Sequence, residues 1–157
     1  QLAPRDFENE PFSYVRVVQP ILDKHCVRCH SGAEPKGKKD LTGEPLNAYT
    51  KSYWALCGDK DFMGTNTNPE TAAAALVPRF GMRNQVQMTP PGGLYGARGS
   101  RLIAMLRKGH NNVELSPEEL RRMAQWIDCN AIFYGLNLPE DQVRLLQGES
   151  LPMPALQ

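Results

Sequence analysis

The stretch Asp23-Lys24-His25-Cys26-Val27-Arg28-Cys29-His30-Ser31-Gly32 (DKHCVRCHSG, residues 23–32) decides how the rest of the chain is read. Two cysteines two residues apart, with a histidine directly after the second, can hold a metal ion, exchange thiol for disulfide, or carry a covalently attached haem. A structural zinc site takes four ligands, usually as two separated pairs. The second pair would have to come from Cys57, Cys129, His25 or His110, whose spacing makes no knuckle. A thioredoxin-like redox motif opens a helix after a strand, within a βαβ pattern, whereas a helical pattern precedes this motif. Haem attachment accounts for all three residues together: the thiols add across two vinyl groups of one porphyrin, and the histidine is brought to the iron. Chance placement of 4 Cys and 3 His would give this pattern in only about two such chains in a thousand, so the signal is specific. One haem c is therefore expected on Cys26 and Cys29, with His30 as an axial ligand.

Upstream, Tyr14, Val17, Val18, Ile21 and Leu22 fall on one helical stripe pointing toward Cys26, and Pro20 should kink or split that helix. Downstream, residues 31–49 are rich in Gly, Pro and Lys and read as a loop. A short helix is expected from about Thr50 to Leu56, stopped by Gly58. Residues 59–99 read as irregular, with one turn of helix at 69–77. Regular order returns with Ser100 as a cap, Leu102, Met105 and Leu106 on one face, and Gly109 as the stop. The strongest helix signal follows: Ser116 caps, Pro117 opens, Glu119 completes an S-x-x-E box, and Leu120, Met123, Ala124 and Ile127 make the stripe.

The expected organisation is an extension over 1–12, one domain over 13–135, and a Pro-containing tail or linker over 136–157. Strand-like alternation and internal repeats are absent, so the class is all-α, with four to five helices and long loops. The 13 Gly and 13 Pro in 157 residues agree with that looseness, which a bound cofactor would help to organise. A formal net charge of +1 argues against nucleic acid as a partner. No apolar run approaches the ~20 residues of a membrane span. The polar opening suits a secreted protein after removal of its signal, or a module of a longer chain.

Haem c is attached outside the cytoplasm, so a periplasmic or extracellular location is expected, and there Cys57 and Cys129 form either a disulfide or two buried thiols. For the second axial position the candidates are His110, Met82, Met88 and His25. His25, next to Cys26, is held near the porphyrin edge; Met105 and Met123 lie on helical stripes as core fillers, and Met63 and Met153 have no favouring context. Met88 sits in the stiff QMTPPGG, with Met82 as a weaker version of the same idea, while His110 projects from a turn between two helices. His110 is favoured and Met88 is the rival.

The segments YVRVVQPILDKHCVRCHSG, SYWAL and SRLIAMLRKGHNNVELSPEELRRMAQWIDCNAIFYG resemble cytochrome c domains common in planctomycetes and their relatives. The nearest likeness is to the haem domain related to the hydrazine synthase alpha subunit, over about residues 13–135. The resemblance implies a small cytochrome c-like fold and a bis-histidine haem in which the L-R-x-G-H histidine, here His110, is the distal ligand. Many of these domains instead use a Met-Pro-Pro element, from which MTPP departs by one threonine, and this keeps Met88 open. The resemblance also implies that a Cys57–Cys129 bridge would be a local addition, because the position of Cys129 is usually aliphatic.

Three functions compete. The first is a monohaem electron-transfer module serving a redox partner protein, with no catalytic activity of its own. The second is a haem enzyme or gas-binding domain with a labile or open distal site, and the third a structural module of a larger assembly. Trp54 and Trp126 either cover the haem or fill the core, core being the simpler reading. Lys36, Lys38 and Lys39 either guide an acidic partner or belong to a solvated loop.

Overall fold

The computed structural model describes residues 10–58, 75–79, 93 and 95–154. The apolar stripe around Tyr14 forms two short helices, α1 (Tyr14–Val17) and α2 (Gln19–His25), divided at Val18. Pro20 lies in the first turn of α2, where its missing N–H would have had no helical partner, so the residue expected to split the helix opens its second half. Tyr14, Val18, Ile21 and Leu22 are buried, as the stripe requires.

After one 3-10 turn (Lys36–Lys38), β1 (Pro45–Leu46) pairs antiparallel with β2 (Tyr49–Thr50), Pro45 opposite Thr50 and Leu46 opposite Tyr49. This hairpin was not expected, because strands of two residues are too short to show alternation. Helix α3 (Lys51–Cys57) follows directly. The Thr50 hydroxyl accepts from the Tyr53 N–H at 3.3 Å, and Gly58 ends the helix at φ 69°, a left-handed geometry that glycine adopts without strain.

Residues 75–79 strap α3 to the second half of the chain: Val77 N–H donates to Leu56 O (3.0 Å), and Leu102 N–H donates to Leu76 O (3.1 Å). The turn of helix expected at 69–77 falls largely outside the described residues. Next come α4 (Gly96–Gly99), α5 (Arg101–Lys108) and α6 (Pro117–Asp128). Ser100 and Ser116 cap the last two as the sequence indicates, the latter with a complete capping box to Glu119.

The segment after Gly135 differs from the expected tail. It forms α7 (Pro139–Leu146), and Leu145 and Leu151 are buried. Ser150 Oγ donates to Glu10 Oε1 at 2.6 Å, and Glu10 pairs with Arg16 of α1 at 2.9 Å, so the C-terminal segment packs back toward the start of the domain. The domain is mostly helical with one small hairpin. Among the described residues no helix is long and apolar enough to cross a membrane.

The core is aromatic. Tyr14 stacks on Phe133 with centroids 5.0 Å apart, meets Tyr53 edge-on at 5.2 Å, and lies 5.3 Å from Trp126. Burying hydroxyls in such a core is tolerated only when they are bonded. Tyr14 donates to Ser52 Oγ (3.1 Å); Tyr53 donates to Ala131 O (2.7 Å) and accepts from Arg79 Nη1 (2.8 Å). Trp126 Nε1 reaches Ile132 O and Trp54 Nε1 reaches Leu46 O, both at 3.0 Å.

Two chain segments far apart in sequence close this core. Tyr14 N–H donates to Phe133 O (3.0 Å), and Gly135 N–H donates to Phe12 O (2.7 Å). A Cβ on Gly135 would lie 2.5 Å from the backbone nitrogen of Phe12. Backbone atoms cannot swing aside as a side-chain tip does, so Gly135→Ala is expected to destabilise by about 1–3 kcal/mol through overpacking, read as a lower urea midpoint at unchanged m-value.

Candidate cofactor site

Helix α2 ends at Cys26, whose N–H still bonds to Leu22 O (2.7 Å). The chain then coils tightly: Cys29 N–H donates to Cys26 O (3.0 Å), and His30 N–H is shared between Cys26 O and Val27 O (3.1 Å each). His30 is pinned from the other side, its carbonyl accepting from Leu41 N–H at 2.8 Å. Both motif cysteines and the histidine thus open onto one cleft, at whose edge the cysteines are partly buried.

The opposite wall comes from α5, which presents Leu102, Met105 and Leu106 and ends at Gly109 (φ 91°). His110 follows, held by a tight reversal in which Asn111 (φ 49°) and Asn112 (φ 59°) are left-handed and Val113 N–H returns to His110 O at 2.9 Å. Asparagine tolerates that region better than most residues. The cleft holds about 1020 Å³ of empty space including its mouth, and its wall is almost wholly apolar. Met105 and Met123, read as core fillers, both line it.

His30 and His110 face each other across this cleft, their ring centroids 6.1 Å apart and their planes 23° from parallel. A metal–imidazole bond is about 2 Å and the bonding nitrogen lies about 1.1 Å from its ring centroid, so two imidazoles on opposite sides of one ion have centroids about 6 Å apart. The gap is too wide for direct stacking to hold it, and its width is that of two rings with an ion between them; His110 Nε2 lies 3.4 Å from Asn111 Nδ2. His30 Nδ1 is buried with no hydrogen-bond partner among the described residues. An apolar slot, two facing imidazoles and two thiols at its edge fit a covalently attached porphyrin, which supplies four nitrogens and asks the protein for only two donors.

Other chemistries fit less well. Among the described residues no group of three or more His, Cys, Asp or Glu side chains could hold a metal ion unaided. Burial pushes the Cys26 thiol up to about 11, with Cys29 adding to the rise, whereas thiol–disulfide exchange relies on a lowered thiol pKa.

The remaining residues singled out in the sequence are distributed as follows. Met63, Met82 and Met88 lie outside the described residues, and Met153 is exposed. Trp54 and Trp126 do not line the cleft; both are tied to backbone carbonyls, and Trp126 belongs to the core. Lys36 and Lys38 are exposed, but Lys39 is engaged with Ala55 O at 2.8 Å and lines the cleft. The Cys57–Cys129 bridge is not formed: Cys57 is fully buried in the core, while Cys129 is exposed at the end of α6, so their sulfurs occupy different surroundings.

His25 lines the cleft, as its position beside Cys26 suggests, with an additional tie. Its Nε2 lies 3.2 Å from both carboxylate oxygens of Glu119, which also accept from Lys24 Nζ at 2.8 Å and Ser116 N–H at 2.8 Å. The sequence marked Glu119 only as a capping residue. The Lys24 bond first, then the Ser116 N–H and His25, hold its carboxyl down at about 2. A depressed folded pKa contributes stability that is present above the unfolded value of about 4.3 and is lost as pH falls toward 2. In acid titrations of urea midpoints, Glu119→Gln should therefore flatten the decline between about pH 4.5 and 2.

A scan against family models, a search of curated proteins and a search of solved structures each return no match for this chain.

Proposed function

We propose that this chain is a monohaem c-type cytochrome module, of the planctomycete type it resembles, that passes single electrons outside the cytoplasm. The observation carrying this reading is the 6.1 Å, near-parallel facing of His30 and His110 across an apolar cleft that Cys26 and Cys29 border. Cys26 and Cys29 would hold the group through thioether bonds, and His30 and His110 would bind its iron. When bound, haem iron supplies a reversible one-electron couple, set lower by two imidazoles than by imidazole and thioether. The chain's part is to fix both imidazoles and exclude water: Leu41 N–H restrains the His30 backbone, the 110–113 reversal restrains His110, and the leucine wall keeps the dielectric low. With His30 and His110 both engaged by the group, no ligand position would remain open to a substrate, which favours electron transfer over catalysis. Close in sequence to the two histidines stand exposed Lys36, Lys38, Arg107 and Lys108 together with exposed Glu34 and Glu114, and a redox partner protein would meet this mixed surface.

The test is attachment. Produced where thiols are oxidised and haem can be ligated, the wild-type chain should hold one haem that acidified acetone does not extract, with a low-spin spectrum indifferent to carbon monoxide. The Cys26→Ala/Cys29→Ala chain should yield its pigment to the solvent. A colourless wild type, or pigment extracted equally from both, overturns the proposal.

A further inference from the structure

The two facing imidazoles belong to separate segments: His30 follows α2, and His110 precedes α6. One carboxylate spans those segments. Glu119 is bound to the start of α6 by Ser116 N–H (2.8 Å to Oε2), while Ser116 Oγ accepts from Glu119 N–H at 3.2 Å. The same carboxylate meets the last two residues of α2, Lys24 Nζ at 2.8 Å and His25 Nε2 at 3.2 Å. From these contacts we infer that Glu119 is a positioning residue that, through His25, fixes the separation and tilt of His30 and His110. This rests on the haem reading above and adds to it the residue that holds the two ligand segments in register.

Of the two ties to α2, His25 is the one that reaches the cleft. The His25 and Glu119 side chains are 15% and 14% exposed, so their contact is sheltered from water and salt, whereas the Lys24 side chain is 64% exposed and its ion pair is screened. The His25 ring is also part of the cleft wall, so its orientation is felt directly by whatever fills the cleft. A helix cap alone would require only the Ser116–Glu119 exchange; the reach from α6 to the residue before Cys26 goes beyond capping.

The experiment uses the haem-loaded full chain and compares Glu119→Gln and His25→Phe with Ser116→Ala, which removes the cap hydroxyl without touching His25. Two properties are read: the rate of cyanide binding to the ferric protein, limited by release of an axial imidazole, and the low-spin magnetic spectrum, which responds to the angle between axial rings. Glu119→Gln and His25→Phe should each speed cyanide binding at least tenfold and shift that spectrum, and together they should do no more than either alone. Ser116→Ala should lower the unfolding midpoint and leave both properties as in wild type. If both variants retain wild-type rates and spectra, or if Ser116→Ala changes them equally, the inference is overturned. Should Glu119→Gln not fold, His25→Phe decides alone. A wild type without covalent haem would instead bring down the reading beneath it.

Discussion

Replacing His110 with alanine should turn a protein indifferent to carbon monoxide into one that binds it. In the proposed site His30 and His110 would both hold the iron, and a diatomic ligand would enter only in place of one of them. His110 is the replaceable one, because His30 is held inside the same tight coil as Cys26 and Cys29. Removing the His110 ring leaves the leucine wall of α5 intact and opens one axial side. The affinity of the ferrous protein for carbon monoxide should rise at least a thousandfold, equivalent to about 4 kcal/mol, and the oxidised protein should lose its low-spin signal. Met88→Ala gives the opposing result: a far-red sulfur-to-iron band in wild type that vanishes in this variant, with His110→Ala silent, would reassign the ligand to the methionine.

The second large effect is on stability. Trp126 is 1% exposed and packs on Tyr14 and Tyr53, with its indole N–H on Ile132 O. Trp126→Ala removes the largest buried side chain and leaves a cavity, at an expected cost of about 3–5 kcal/mol. That is a large share of the roughly 5–15 kcal/mol by which domains of this kind are stable. Urea denaturation followed by far-UV circular dichroism measures it. Trp126 does not line the cleft, so the folded fraction of the variant should keep the wild-type haem spectrum. A changed spectrum at full folding would place the indole in contact with the cofactor after all.

Helices with strong local signals were legible in the sequence. Ser116, Pro117 and Glu119 announce α6 within four residues, and Ser100 and Gly109 bracket α5, because caps are local chemistry. The motif residues stood out for a different reason: their residue types are rare and their spacing restrictive, whereas His110 was singled out by its place after a helix stop and by the resemblance, with Met88 as rival. Helix α7 was missed because its face is thin; Val143 stays exposed, and Leu145 gains its burial from contacts across the chain. The hairpin was missed because its pairing spans only two residues on each side. The Glu119–His25 tie joins positions 94 residues apart and has no signature in either neighbourhood. A disulfide between Cys57 and Cys129 was plausible from compartment alone, but which way each cysteine faces is decided by the tertiary packing.

The seam between Phe12–Tyr14 and Phe133–Gly135 bears on the order in which the domain closes. The backbone groups and the ring that shelter Tyr14 come from a segment far along the chain, and contacts of that range are slow to form. Until they do, the segment bearing Cys26, Cys29 and His30 belongs to an unclosed domain, and its thiols stand accessible to whatever must react with them. Any modification of that segment therefore has the interval before closure in which to occur.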